Sequence, residues 1–150
     1  MSSWLRAKEQ KKINSIETIH DFVGFMHSGS DDYSKLTKLL SKILVVNVHD
    51  ASYKTTIIYT THKEYIEFLE SCYRNKMNFA NGFNIKETTI KFENNTYIIN
   101  TKGTIKIFDK KFNFNKIAEL DETFTITTDD ENLINSIHSS ITTQFIQFLF

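Results

Sequence analysis

The sequence predicts an α+β fold: a curved antiparallel sheet built by the second half of the chain, with three helices from the first half covering its concave face. Three observations carry that expectation. From Phe83 to Thr128 apolar and polar residues alternate, with Ile85, Ile90, Phe92, Ile105, Ile107, Phe112, Phe114, Phe124 and Ile126 separated by Lys, Thr, Glu and Asn. This is the period of a half-buried sheet, and its β-branched Ile and Thr suit a pleated surface. Upstream, two stretches place apolar residues three and four apart, the spacing of one helical face. A third opens with a helix-capping signature.

The chain has 150 residues, 40% hydrophobic and 24% charged, the composition of one globular domain spanning 1–150. Eighteen basic and 18 acidic residues leave a formal net charge of zero. A nucleic-acid binder would need a basic surplus to neutralise phosphates, so no nucleic-acid partner is expected. A zero balance gives little colloidal repulsion, which favours self-association. The single cysteine, Cys72, has no internal disulfide partner and reads as a small buried hydrophobe. No apolar run approaches the ~20 residues that span a bilayer, so no membrane partner is expected. The first twelve residues have no apolar core behind their charges, as a secretory signal would, so the cytoplasm is the expected compartment. Asn94-Asn95-Thr96 matches a glycosylation sequon but reads better as a hairpin turn.

In chain order, residues 1–10 are a polar lead-in or the first turns of a helix, with only Trp4 and Leu5 strongly apolar. Ile13, Ile16, Ile19, His20, Val23 and Met26 then mark a helix from about Lys8 to His27, closed by Ser28-Gly29-Ser30. A second helix begins at Ser30 or Asp31, with Leu36, Leu39, Leu40 and Ile43 as its inward stripe. Leu44–His49 and Thr55–Tyr59 are two short strands. Thr61-His62-Lys63-Glu64 is a capping box that starts a third helix burying Tyr65, Phe68, Leu69 and Cys72. Asn81-Gly82 is a turn or bulge, long strands turn at Glu93-Asn94-Asn95 and near Asp109-Lys110-Lys111, and Gly103 marks a bulge that bends the sheet. The last segment, 132–150, fits either a strand or a helix. Five Ser or Thr residues between Ser136 and Thr143 favour the strand.

This order of elements resembles the nuclear transport factor 2-like superfamily, which includes the SnoaL-like polyketide cyclases and the ketosteroid isomerases. Tyr59-Thr60-Thr61-His62-Lys63-Glu64-Tyr65-Ile66-Glu67-Phe68-Leu69 looks like the family's turn and third helix, although the usual turn glycine is missing. Asn132-Leu133-Ile134-Asn135-Ser136-Ile137-His138 looks like its last strand. The resemblance spans roughly residues 10 to 148. It implies a cone-shaped sheet, a ligand-binding pocket inside the cone, and pairing of two chains through the sheet. The family hosts enzymes, binding proteins and dimerisation modules, so it implies the fold without fixing the function.

The four glycines form no phosphate-binding loop, the Cys and His spacing suits no metal site, and no serine sits in a nucleophile elbow, so no cofactor or metal is expected. Histidines and carboxylates that could face a pocket remain. His20 and His27, seven residues apart on the first helix, fall on nearly the same face. His138 is the histidine of the family-like strand. His138 and His20 are the candidate catalytic bases, because burial shifts an imidazole's proton affinity. Glu87 and the pair Asp121-Glu122 offer inward carboxylates for proton abstraction next to a carbonyl, with Asp121 the chosen candidate. Tyr97 and Asn100 could orient a ligand, although alternation does not say which of them faces inward. His27 and Tyr65 complete the ligand-binding set. The isomerases' inward tyrosine with two acids does not map position by position onto this chain.

Two functions follow from these readings. One is a pocket protein binding a small apolar molecule, with acid–base chemistry of the isomerase, cyclase or dehydratase type. The other is a non-enzymatic dimerisation or interaction module, for which 13 phenylalanines supply apolar surface.

Overall fold

A computed structural model describes residues 3–28, 32–50, 54–75, 83–109 and 114–149. The elements are α1 (Ser3–Ser28), α2 (Tyr33–Thr37), β1 (Leu40–Asp50), β2 (Thr55–Tyr59), α3 (His62–Asn75), β3 (Phe83–Glu93), β4 (Thr96–Asp109), β5 (Phe114–Thr128) and β6 (Ile134–Leu149). Three helices and one six-stranded sheet, ordered β2-β1-β6-β5-β4-β3, make the α+β fold. Among the described residues no helix is long and apolar enough to cross a membrane.

The sheet is mixed and not antiparallel throughout. β1 runs parallel to β6, with Val46 opposite Ile137 and Asp50 opposite Ile141. The remaining four pairings are antiparallel. β6 is a strand, as its Ser and Thr content requires, and it lies between β1 and β5. Residues 129–133 form the hairpin turn leading into it, with Asp129 N–H bonded to the Leu133 carbonyl and Asn132 N–H to the Asp129 carbonyl. The Asp129 carboxylate accepts the backbone N–H of Glu131 at 2.9 Å and of Leu133 at 3.0 Å, and Asn132 takes φ 63°.

The β3–β4 hairpin turns through Asn94 and Asn95, at φ 53° and 58°. Two consecutive residues with positive φ match the twist of a two-residue hairpin, and Asn tolerates that region well. The expected turns near Asn81-Gly82 and Lys110-Lys111 lie outside the described residues. The bulge expected at Gly103 is on the neighbouring strand: register slips between Ile85 and Glu87, and Gly103 sits opposite Ile85. A Cβ at Gly103 would come within 2.3 Å of the Asn84 carbonyl oxygen, so only glycine lets the strands approach this closely.

Two helix boundaries differ from the expectation. α1 already begins at Ser3, which makes the lead-in helical. α2 stops at Thr37, and Leu40 and Ile43 belong to β1, where Ile43 is 82% exposed. Leu36 and Leu40 are both buried, so their four-residue spacing imitates one helical stripe although they sit on two elements. α3 starts at its capping box: the Thr61 hydroxyl accepts the Glu64 N–H at 3.1 Å and donates to the Glu64 carboxylate at 2.9 Å.

The core lies where α1 and α3 meet one face of the sheet. Ile19, Phe22 and Met26 of α1, Tyr65 and Leu69 of α3, and Val46, Ile99, Phe124, Ile126 and Ile137 of the sheet share one buried cluster. Phe22, absent from the stripe read in sequence, has no exposed surface and meets the Phe124 ring edge-on, centroids 5.4 Å apart.

Candidate functional site

Strand alternation decides which side chains face the helices. On β4, Tyr97, Ile99 and Thr101 are buried on the helix side, so Asn100 and Lys102 point away. On β5, Leu120, Phe124 and Ile126 are buried, and Glu122 shares their phase. Thr101 and Glu122 are direct partners across the β4–β5 pair and therefore stand side by side on the helix-facing side.

The last turn of α1 reaches this spot. His27 Nε2 lies 3.2 Å from the Thr101 hydroxyl oxygen, and Thr101 is only 1% exposed. His27, Thr101 and Glu122 form a polar group bordered by Leu120, Phe124 and Ile141. Burial pushes the Glu122 carboxyl up to about 7, since nothing nearby compensates a charge taken out of water. The Glu122 side chain keeps partial exposure, and among the described residues no fully buried side-chain polar atom is left without a hydrogen bond. Burial also holds the His27 imidazole below its usual value. Burial favours the neutral form of both groups, and each adjoins Thr101, His27 through the hydroxyl and Glu122 as the cross-strand neighbour.

At the far end of α1, Ser15 donates to the Asn132 side-chain oxygen at 3.0 Å and lies 3.3 Å from the Thr128 hydroxyl. Tyr97, 3% exposed, sits near this end; burial raises its phenol and the Ser15 hydroxyl pulls the other way.

Of the residues singled out in sequence, His27, Tyr97 and Tyr65 lie on the helix-facing side. Tyr65, 1% exposed, stacks on Phe68 with centroids 6.5 Å apart. The others do not join the polar group. His138 is exposed on the opposite face, in register with Thr125 and Asn47. His20 is exposed and lines a groove of about 590 Å³ between α1 and α2 with Asp21, Gly24, Phe25, Lys35, Lys38 and Leu39. His20 and His27 share a helix azimuth, but only His27 reaches the sheet. Glu87, Asn100 and Asp121 are on the outer side: Glu87 opposes Lys102, and the Asn100 amide donates to Asp121 at 2.7 Å and to Thr123 at 2.9 Å.

Asp121 is thus the outward member of the Asp121-Glu122 pair, and Glu122 is the inward one. The signal was present in the sequence: Leu120, Phe124 and Ile126 fix the buried phase of β5, and Glu122 is the residue in step with them. Thr101 had no such signal, because its burial depends on α1 crossing above it. Among the described residues no group of three or more His, Cys, Asp or Glu side chains could hold a metal ion.

No protein-family model matches the chain, and no curated protein matches it. Solved structures do. A phenazine biosynthesis-related protein from Pseudomonas aeruginosa superposes with a TM-score of 0.64 at 12% identity, covering 88% of this chain and 77% of its own. An NTF2-like protein of unknown function from Burkholderia pseudomallei superposes with a TM-score of 0.60 at 12% identity, covering 89% of this chain and 91% of its own.

The chain has the nuclear transport factor 2-like fold.

A structure described as a SnoaL-like polyketide cyclase, from Shewanella putrefaciens, shares that fold with a TM-score of 0.59 at 13% identity, covering 83% of this chain and 89% of its own. At such identities the likeness is one of NTF2-like architecture. The chemistry has to be argued from the side chains.

Proposed function

We propose that this NTF2-like chain binds a small apolar molecule between the end of α1 and a cone-shaped sheet, and that Glu122 and His27 exchange protons with it. The observation that carries the reading is the Glu122 carboxyl. Burial alone raises it, it stands in phase with Leu120 and Phe124, and it is one strand from the Thr101 hydroxyl that meets His27. A polar group placed this way in the core of a fold costs stability, and a ligand that hydrogen-bonds to it returns part of that cost. In this reading Glu122 is the proton donor or acceptor, Thr101 positions His27, and Leu120, Phe124 and Ile141 bind the apolar body.

A thermal-shift screen against a broad library of small apolar molecules tests it. Hits that raise the melting temperature of the native chain, and raise that of Glu122→Gln distinctly less, are expected. A flat response across the library overturns the reading.

A second reading rests on a separate surface. Ile43, Val45 and Ile58 are 82%, 43% and 60% exposed on β1 and β2, Val45 and Ile58 on the side away from the helices. Apolar surface of this kind suits pairing with a second copy through the sheet. Dimerisation at micromolar concentration in light scattering, lost in Ile58→Lys with the fold intact, is the expected result. A monomer at all concentrations overturns it.

A further inference from the structure

β3 is the outermost strand on one side of the sheet and β2 the outermost on the other. β2 has five residues, and so short an edge offers little to pair with. β3 has eleven, and residues 86–95 are all exposed. Among the described residues no strand lies against its far side. The register slip between Ile85 and Glu87 bends the beginning of β3 and leaves residues 87–93 as its regular run.

The turn through Asn94 and Asn95 sets which backbone groups are open. In a two-residue hairpin the flanking residues, here Glu93 and Thr96, exchange both backbone bonds. Alternation then directs the N–H and C=O groups of Thr88, Ile90 and Phe92 away from β4. The Ile90 and Phe92 side chains, 38% and 44% exposed, stand on the helix-facing side, opposite Ile99 and Tyr97. Glu87 and Lys91 are on the outer side, opposite Lys102 and Ile98. Asp121 is opposite Lys102 in turn, so charge alternates in sign across β5, β4 and β3, and the row stops on an acid at the edge. The next place in that row suits a cation.

We infer that the chain self-associates edge to edge through β3, two copies forming one continuous sheet with Glu87 of each opposite Lys91 of the other. The surface is separate from the pocket and from the β1–β2 face, so the inference goes beyond both readings above. A second β3 laid antiparallel about a two-fold axis at Thr89 sets Thr88 opposite Ile90 of the copy, joined through the open backbone groups. Glu87 then faces Lys91 of the copy, twice by symmetry, at positions where side chains stand closest. The two Ile90 side chains meet diagonally on the helix-facing side. Moving the axis to Ile90 would set Glu87 against Glu93 of the copy, so the charges select one register. A lone lysine on an edge repels a second edge; Lys91 is answered by an acid four residues away on the same side. Few residues meet, which makes the association weak and reversible.

Sedimentation velocity over a concentration series tests it. The native chain should associate reversibly, and Ile58→Lys, which alters only the β1–β2 face, should leave that association in place. Glu87→Lys or Lys91→Glu alone should weaken it by about tenfold, since either change turns both attractive pairs repulsive. An equimolar mixture of these two variants should recover it, because each then meets opposite charge in the other, and the double reversal should recover it too. Single reversals without effect, or a mixture no better than either variant alone, overturn the edge pairing. Association that Ile58→Lys abolishes overturns it and leaves the β1–β2 reading standing. A chain that stays monomeric at every concentration overturns both.

Discussion

His27 Nε2 and the Thr101 hydroxyl are 3.2 Å apart, although 74 positions separate them in the chain. The contact fastens the last turn of α1 to the middle of β4, next to Glu122. Thr101→Val keeps the shape and removes the hydroxyl, leaving a half-buried ring nitrogen without this partner. A loss of about 1–2 kcal/mol is expected in urea unfolding, with Thr101→Ser recovering most of it. Equal stability of the Val and Thr forms would show that the contact does not hold the helix.

The pH dependence follows from Glu122. Its carboxyl is pushed from 4.5 in the unfolded chain to about 7 in the folded one. Between these values the native state binds more protons, so stability is fullest below pH 4.5 and declines as pH rises through 7. His27, held low, acts in the opposite sense: its contribution is present above about 6.5 and is lost as pH falls. Glu122→Gln should therefore flatten the decline between pH 5 and 8 and stabilise the chain at pH 8 by roughly 1–3 kcal/mol. Denaturant unfolding at several pH values measures it.

Two glycines give opposite expectations. A Cβ at Gly103 would collide with Asn84 backbone, its carbonyl oxygen 2.3 Å away, whereas a Cβ at Gly24 meets nothing within 4 Å. Gly103→Ala should cost about 2 kcal/mol or more, because backbone must shift. Gly24→Ala lies inside α1 and should stabilise by about 0.5–1 kcal/mol. Thermal melts of the two variants, moving in opposite directions, would confirm the close approach of β3 and β4.

Asn132 carries two roles in one turn. It adopts φ 63° and accepts the Ser15 hydroxyl at 3.0 Å. Asn132→Ala forfeits the bond and strains the backbone, for about 2 kcal/mol in total, whereas Asn132→Gly forfeits the bond but fits the positive φ and should cost less. If alanine and glycine prove equally harmful, the backbone conformation is not what asparagine supplies.

The parts of this fold that were legible in sequence are those set by near neighbours. Asn94-Asn95 announces its hairpin because two left-handed residues are needed there, and Thr61 with Glu64 announces α3 through a reciprocal cap. The parts that were not legible depend on distant chain. Nothing local in Val45 or Val46 says that the partner is Ser136 or Ile137 in parallel, so the sheet was expected to be antiparallel throughout. Leu36, Leu39, Leu40 and Ile43 keep helical spacing, yet the helix yields to β1 because pairing with β6 outweighs propensity. At the site, polar residue types were visible but their facing was not. Choosing between Asp121 and Glu122 needs the phase of β5, and choosing between His20 and His27 needs the position of Thr101.

The place of β6 in the strand order has a consequence for how the chain comes together. It is the last strand in sequence and one of the two central ones in the sheet, joining β1 and β2 on one flank to β5, β4 and β3 on the other. During synthesis those flanks are two fragments with raw edges at β1 and β5, and neither can zip to the other until the final strand emerges. Assembly is thus a late closing event governed by contacts of long sequence separation, and slow folding with a window of edge-to-edge association is its kinetic signature.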